Sequence, residues 1–528
     1  MNNSNIKKIY IIFISFWVVN FFFSNYQIIP NTDDVFYTLP ALNFSYTNEI
    51  AFNQLDYNYT FFERFHIYAL LQGIFYKITH HFLSFNFYVY RILNIFIFIT
   101  ILFLSFAIFN NFLKKNKEKE TFKIVFFPIF LAMSPISQTY LLTRPEFLGI
   151  VFILLSIYLI LKSKSTYSIN IASFFLGLSV ICHPVFIIFN FFIFLNIILL
   201  KNTFKKIIIN FFFNIIPIIC LVLYYYVNLP ESLSQFSLQA ASLPYFKAWL
   251  GLLEYSFDIF NNEKKIIGLI NTFYYLPVLI ILFLTINILK DNFFEIFKNK
   301  NNRLIILLFL SSFLLLIVER NHTYLLSISS FFLILIIFLI QWKNAYLVKI
   351  INSFKNSKNI FFLFIFAFFM ISSWNLIHFF KFSYFKNEFL ENSLIINQKK
   401  QMLQNNSLII VTRPEMVPFF YEEINKQYTG VYKNKVLWFF PDSGRAKTPL
   451  ERENSIKEIK YVLDNFTDNK ILWVAAKKNI YNKCLILNDA LHHSEAIKLK
   501  FEKINVVYKS NKHLIFNAKN IEYSSTVC

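Results

Sequence analysis

Apolar runs of bilayer length recur through most of this chain, and short segments rich in lysine separate many of them. Crossing the hydrocarbon core takes roughly 20 helical residues. A helix suits that environment because it satisfies its backbone polar groups internally. A soluble core would show more amphipathic alternation and fewer such runs. With 56% hydrophobic and 15% charged residues, the expected class is an α-helical polytopic membrane protein. We place eleven spans near 8–26, 88–113, 122–134, 147–161, 167–182, 185–200, 207–227, 266–289, 304–318, 324–341 and 359–380. The first carries Lys7-Lys8 ahead of its apolar run and lacks a small-residue cleavage site, so it reads as an uncleaved helix.

The charges orient these spans. With the N-terminus inside, the inner segments are 1–7, 114–123, 162–166, 201–206, 290–303 and 342–358; together with Lys8 they carry 20 Lys/Arg. The outer segments before residue 381 are longer yet carry 7. Acidic residues run the other way, four inside and eleven outside. This is the positive-inside pattern, and it accounts for much of the net charge of +21 without a nucleic-acid partner. Counting residues 65–83 as a further span would invert it, placing Lys114, Lys115, Lys117 and Lys119 outside. That stretch is therefore expected to be an amphipathic helix on the outer surface.

Two domains follow. Residues 1–380 form the membrane part, with long outer loops at 27–87 and 228–265. Residues 381–528 fall outside the membrane and are much more polar, with 23 Lys/Arg and 15 Asp/Glu. Strand-like runs at Ser407–Val411, Lys435–Phe440, Lys470–Ala476 and Phe501–Lys509 alternate with helix-like stretches near 414–425 and 452–466, the pattern of a small α/β domain. Cys484 and Cys528 share this region, and their pairing stays open because sequence does not fix connectivity.

Orientation brings a short list of polar residues to the outer face. The first loop supplies Asp33, Asp34 and Tyr37 in N-T-D-D-V-F-Y, then Asp56, Glu63, Arg64 and His66. Later outer turns supply Arg144 and Glu146 in L-L-T-R-P-E-F, His183 in C-H-P, and Glu319, Arg320, His322 and Tyr324 in E-R-N-H-T-Y. Ionisable groups at a membrane rim need a reason. Acids, arginines and histidines at one level fit glycosyl transfer from a lipid phosphate: arginine matches a phosphate leaving group, and a carboxylate can serve as base for an acceptor hydroxyl. Each also has a structural use. The aspartates suit a helix start, Arg144 can pair with Glu146, Arg320 can pair with Glu319, His183 can serve its own turn, and Glu63, Arg64 and His66 can form the polar face of the surface helix.

Carboxylates with a rim histidine are donors a hard divalent cation accepts. No spacing matches a closed zinc site, so metal dependence stays open. There is no Walker loop and no G-x-G-x-x-G, which disfavours a nucleotide-driven machine.

In this architecture and in several local patterns, the chain resembles the GT-C superfamily of membrane glycosyltransferases, which includes protein O-mannosyltransferases and lipid A aminoarabinose transferases. N-T-D-D-V-F-Y is similar to the acidic motif of that family's first outer loop. V-Y-R-I-L-N-I-F, with Arg91, is similar to the start of its second span. L-L-T-R-P-E-F-L and G-L-S-V-I-C-H-P resemble its fourth and fifth spans. R-N-H-T-Y-L-L-S-I-S-S-F-F resembles a late R/H-Y-L-L-P segment, with serine in place of proline. His183 stands where related bacterial enzymes often have lysine.

The resemblance implies an inverting transferase using a polyprenyl-phosphate sugar donor on the extracytoplasmic face, with Asp33 or Asp34 activating a lipid, glycan or protein acceptor. It also implies membrane lipids as partners. The expected location is a bacterial inner membrane with residues 381–528 periplasmic. The rival expectations are an O-antigen polymerase or ligase and a lipid or solute transporter. The former would place an arginine-rich outer loop late between spans, the latter charged pairs and broken helices at the midplane.

Overall fold

A computed structural model describes residues 32–48, 67–79, 87–112, 144–162, 165–200, 203–228 and 300–318, isolated positions within 328–339, positions 402 and 420, and six strands between 408 and 524. The expected spans near 8–26, 122–134, 266–289 and 359–380 lie outside these residues. The chain divides into two compact units. One comprises Met1–Asn25, Arg91–Tyr224 and Pro244–Lys381, the other Tyr26–Tyr90, Tyr225–Leu243 and Phe382–Cys528.

The described elements are mostly helical. In chain order they are α1 (Thr32–Thr47), α2 (Ile67–Thr79), α3 (Phe87–Phe112), α4 (Glu146–Lys162), α5 (Thr166–Cys182), a 3₁₀ turn (Pro184–Phe186), α6 (Ile187–Ile198), α7 (Phe204–Asn228) and α8 (Lys300–Val318). These coincide, within a few residues at each end, with the apolar runs expected at 88–113, 147–161, 167–182, 185–200, 207–227 and 304–318. Two segments, Ile92–Phe109 of α3 and Phe204–Val227 of α7, are long and apolar enough to cross a membrane.

In the first unit, α4 packs along α5, α5 along α6, and α6 along α8. Several serines of these helices are hidden by local bonds. The hydroxyls of Ser173, Ser311 and Ser312 donate to carbonyls one turn back, so they need no outside partner. Two buried asparagines are instead paired across helices. Asn190 of α6 and Asn214 of α7 exchange two amide bonds of 3.0 Å, and Asn190 Nδ2 also donates to the Leu176 carbonyl of α5 at 3.0 Å. Both asparagines are buried.

A glycine permits that junction. A Cβ on Gly177 of α5 would collide with the Asn214 carbonyl oxygen and stand 3.1 Å from Pro217 Cγ. Pro217 sits inside α7, where it removes one helical N–H and its ring crowds the preceding turn. Only a residue without a side chain lets α5 approach there. The outward face of α7 is inverted relative to a soluble helix: Phe204, Phe211, Phe212, Leu223, Tyr226 and Val227 are exposed while Asn210 and Asn214 are buried.

In the second unit α1 lies against α2. The stretch expected as a surface helix is helical, and it buries Tyr68, Ala69, Gln72, Gly73 and Tyr76 on one face. A Cβ at Gly73 would meet the Ala41 carbonyl and the Phe44 ring at 2.8 Å, so this glycine sets a close crossing. Helix α1 ends at Asn48, which adopts φ 65° and returns its N–H to the Phe44 carbonyl at 2.9 Å. Asparagine tolerates this left-handed position, which closes helices. Lys77 of α2 donates to the Asn48 side chain at 2.5 Å.

The six strands β1 (Leu408–Val411), β2 (Lys435–Trp438), β3 (Leu472–Lys477), β4 (Cys484–Leu487), β5 (Ile497–Lys509) and β6 (His513–Ser524) form one mixed sheet in the order β2-β1-β3-β6-β5-β4. β1 pairs in parallel with β2 and β3, and the remaining pairs are antiparallel. Parallel neighbours need crossover connections. The helices expected at 414–425 and 452–466 fall in those connections and, position 420 apart, lie outside the described residues. The apolar run of β1 has Ile409 and Ile410 both fully buried, as a strand covered on both faces requires. The runs expected as strands match four of the six and omit β4 and β6. β4 pairs only with Ile497–Lys500, and a bulge interrupts β5 between Val506 and Tyr508.

Replacing Asn214 with Leu strands the Asn190 carboxamide among apolar side chains. We expect a loss of about 1 to 2 kcal/mol, measured by denaturant unfolding in detergent. Gly177→Ala should cost a similar amount, about 1 to 3 kcal/mol, because a backbone atom rather than a flexible side chain must move.

Candidate functional site

The chain approaching α4 reads Thr143-Arg144-Pro145-Glu146. The Pro145 carbonyl accepts from Gly149 N–H at 3.1 Å, opening the helix, and Glu146 takes its first position, where the helix dipole favours a carboxylate. Arg144 reaches over this turn. Its Nε lies 3.2 Å from both Glu146 oxygens and its Nη2 donates to Oε1 at 2.8 Å. Arg144 and Glu146 are only 1% and 2% exposed, so neither charge has water to screen it.

Residues Cys182-His183-Pro184 carry the third group. A residue before proline is driven out of the helical region, and His183 is extended at φ −158°, ψ 134°. It ends α5 by donating its N–H to the Ser179 carbonyl at 3.3 Å, while its own carbonyl accepts from Phe186 N–H at 3.1 Å. Its Nδ1 accepts from Val185 N–H at 3.3 Å, capping the 3₁₀ turn. With Nδ1 accepting, the neutral ring carries its proton on Nε2, and that atom stands 3.7 Å from Glu146 Oε1. Gly149 completes the seat: a Cβ there would overlap the Phe186 ring, so its absence lets the 3₁₀ turn close onto α4.

Burial raises the Glu146 carboxyl, but Arg144 and then His183 outweigh it and hold the group below its usual value. A carboxylate held ionised in this way is a weak base. Its geometry is that of a counter-ion, fixing the Arg144 guanidinium and drawing His183 toward it. The cluster can therefore supply oriented cationic donors; it is poorly suited to taking a proton.

The other sequence candidates are placed as follows. Asp33 and Asp34 occupy the first turn of α1, where carboxylates favour a helix start. Tyr37, one turn on, is 2% exposed and meets the Tyr68 ring of α2 edge-on, with centroids 6.1 Å apart; its ring packs α1 on α2. Arg91 lies on α3. Glu63, Arg64, His66, Arg320, His322 and Tyr324 lie outside the described residues, as does Cys528. Among the described residues no cluster of His, Cys, Asp and Glu suits a metal ion.

Sequence reasoning missed the buried asparagines and Arg303, which donates through Nε to Asn196 Oδ1 at 2.8 Å. Their signal is an amide inside a long apolar run, and it is masked by how common Asn is throughout this chain. Compared with known proteins, the chain matches no family model and no curated protein.

Since Glu146 titrates below its ordinary value near 4.5, its ionisation adds stability that is fully present above that value and lost as pH falls through the lower folded value. The unfolding temperature should fall on acidification below pH about 4.5, and Glu146→Gln should remove that limb. The same variant leaves Arg144 buried and uncompensated, with an expected cost of about 3 to 5 kcal/mol at neutral pH. The paired variant carrying Arg144→Met as well should recover much of it.

Proposed function

We propose that this chain is a multi-pass membrane glycosyltransferase of GT-C type, with the eleven spans given above and residues 381–528 extracytoplasmic. It moves a sugar from a polyprenyl-phosphate donor to a lipid, glycan or protein acceptor. Asp33 or Asp34 accepts the proton of the acceptor hydroxyl. The hydroxyl oxygen attacks the anomeric carbon, the bond to the phosphate oxygen breaks, and the anomer inverts. Arg144, with His183 and Arg320, stabilises the departing phosphate. Positioning supplies much of the rate and fixed cations the rest.

The observation that carries this reading is the Arg144–Glu146–His183 cluster. It joins the N-terminal end of one apolar helix to the junction of two others. A preorganised cation held there matches a lipid phosphate entering along the helices. The lipid-facing character of α7 supports the membrane location. A transporter would need charged groups deep in its spans. In α3 to α8, every Asp, Glu, Lys and Arg lies within five residues of a helix end, which favours rim chemistry instead.

The test is sugar transfer from radiolabelled polyprenyl-phosphate sugars by purified protein in lipid, wild type against Asp33→Asn and Asp34→Asn. We expect one variant to lose turnover by about a hundredfold or more while still binding donor. Equal turnover in all three removes the acidic pair from the mechanism. Absence of transfer from every donor tried, with donor bound, would sink the transferase reading.

A further inference from the structure

The end of the first unit opposite the Arg144 cluster is built differently. Lys300 and Arg303 open α8. Lys300 Nζ donates to the Ile160 carbonyl in the last turn of α4 at 2.5 Å, and Arg303 Nε donates to Asn196 near the end of α6. The start of α8 thus braces the ends of two other helices. Arg303 is 8% exposed and Asn196 is fully buried. At the other end Arg144 is neutralised by Glu146, whereas among the described residues no carboxylate lies within ion-pair distance of Lys300 or Arg303.

A donor beside Arg303 goes unmet there. Asn196 gives its oxygen to Arg303, and its Nδ2, on the same amide, is buried without a partner. On α7, one turn from Asn214 toward the same end, Asn210 is 1% exposed, and both its amide atoms lack partners. Burial holds Lys300 below its usual range, and Arg303 lowers it further. A buried arginine without a carboxylate among the described residues, beside an unmet amide donor of Asn196, is costly unless an anion completes it. By the distribution of lysine and arginine, this is the cytoplasmic end, where anionic headgroups gather and basic pockets between helices hold them.

We propose that the Lys300–Arg303–Asn196 end of this unit binds a phosphate group, supplied by an anionic phospholipid of the adjoining leaflet. Arg303 presents its terminal nitrogens to the phosphate oxygens, Asn196 Nδ2 adds a neutral donor, and Lys300 adds a second charge. The occupied site ties α4, α6 and α8 together from below. This site is separate from the sugar-transfer chemistry, and its test reads binding rather than turnover, so either idea can fail alone.

The full-length protein in neutral detergent is titrated with phosphatidylglycerol, phosphatidylcholine or inorganic phosphate at constant ionic strength. Unfolding temperature and lipid retained in native mass spectra are followed. Phosphatidylglycerol should bind and raise the unfolding temperature, and the other two should not. Arg303→Gln should weaken that binding about tenfold or more, as loss of a charge-assisted contact does. Since that variant can lose stability, Asn196→Asp provides the second arm. It sets a carboxylate beside Arg303, so the protein should stay folded without lipid and lose its response to phosphatidylglycerol. An undiminished response in both variants, or none in wild type, overturns the site. Equal stabilisation by inorganic phosphate overturns the lipid source.

Discussion

The reciprocal amide pair between Asn190 and Asn214 is the contact on which the arrangement of α5, α6 and α7 depends. Between helices that are apolar on most faces, burial of leucine or phenylalanine says little about which face meets which. Two carboxamides facing each other do say so, because every other rotation leaves them unmet. The extra bond to the Leu176 carbonyl extends that constraint to a third helix. Gly177 then makes the approach feasible and Pro217 shapes the surface approached. Register here is set by a few polar and small residues, and the many aromatic contacts, such as Phe189 against Phe332 at 4.6 Å, fill the space that register defines.

Charge is handled in opposite ways at the two ends. At one, Arg144 is matched by Glu146 two residues away, so the pair can be buried whole. At the other, Lys300 and Arg303 lean on a backbone carbonyl and a side-chain amide, which orient a cation but do not neutralise it. The Arg144 charge has a carboxylate partner within the same turn, while among the described residues Lys300 and Arg303 have none. Within α8 itself, the first turn carries basic and amide side chains and no carboxylate.

Much of the helical part was legible in sequence because long uncharged runs leave few alternatives, and the starts and stops of α4 and α5 coincide with Glu146, Lys162 and Pro184. α2 was legible from its amphipathic pattern, though not what its buried face would meet. Among the strands, β1 and β3 read clearly as apolar runs. β6 did not: its Asn517, Lys519, Asn520 and Glu522 interrupt the hydrophobic signal, and its place beside β3 and β5 comes from pairing across the sheet. In the candidate site, T-R-P-E allowed a local Arg144–Glu146 pair, and the structure makes that pair. The involvement of His183 needed the fold, because a histidine before proline gains its neighbours only once two helices turn back on α4. Asn196 and Arg303 were invisible for the same reason: the partners are 107 residues apart.

One edge of the sheet is stepped. β4 covers only Ile497–Lys500, so among the described residues the ladder of β5 beyond Lys500 has no neighbour on that side. Unpaired ladder groups invite a strand from another molecule. Here the exposed stretch carries Glu502 and Lys503, and the bulge after Val506 breaks the straight run that a docking strand would have to follow. Charge and irregularity of this kind are the features that discourage edge-to-edge pairing of sheets.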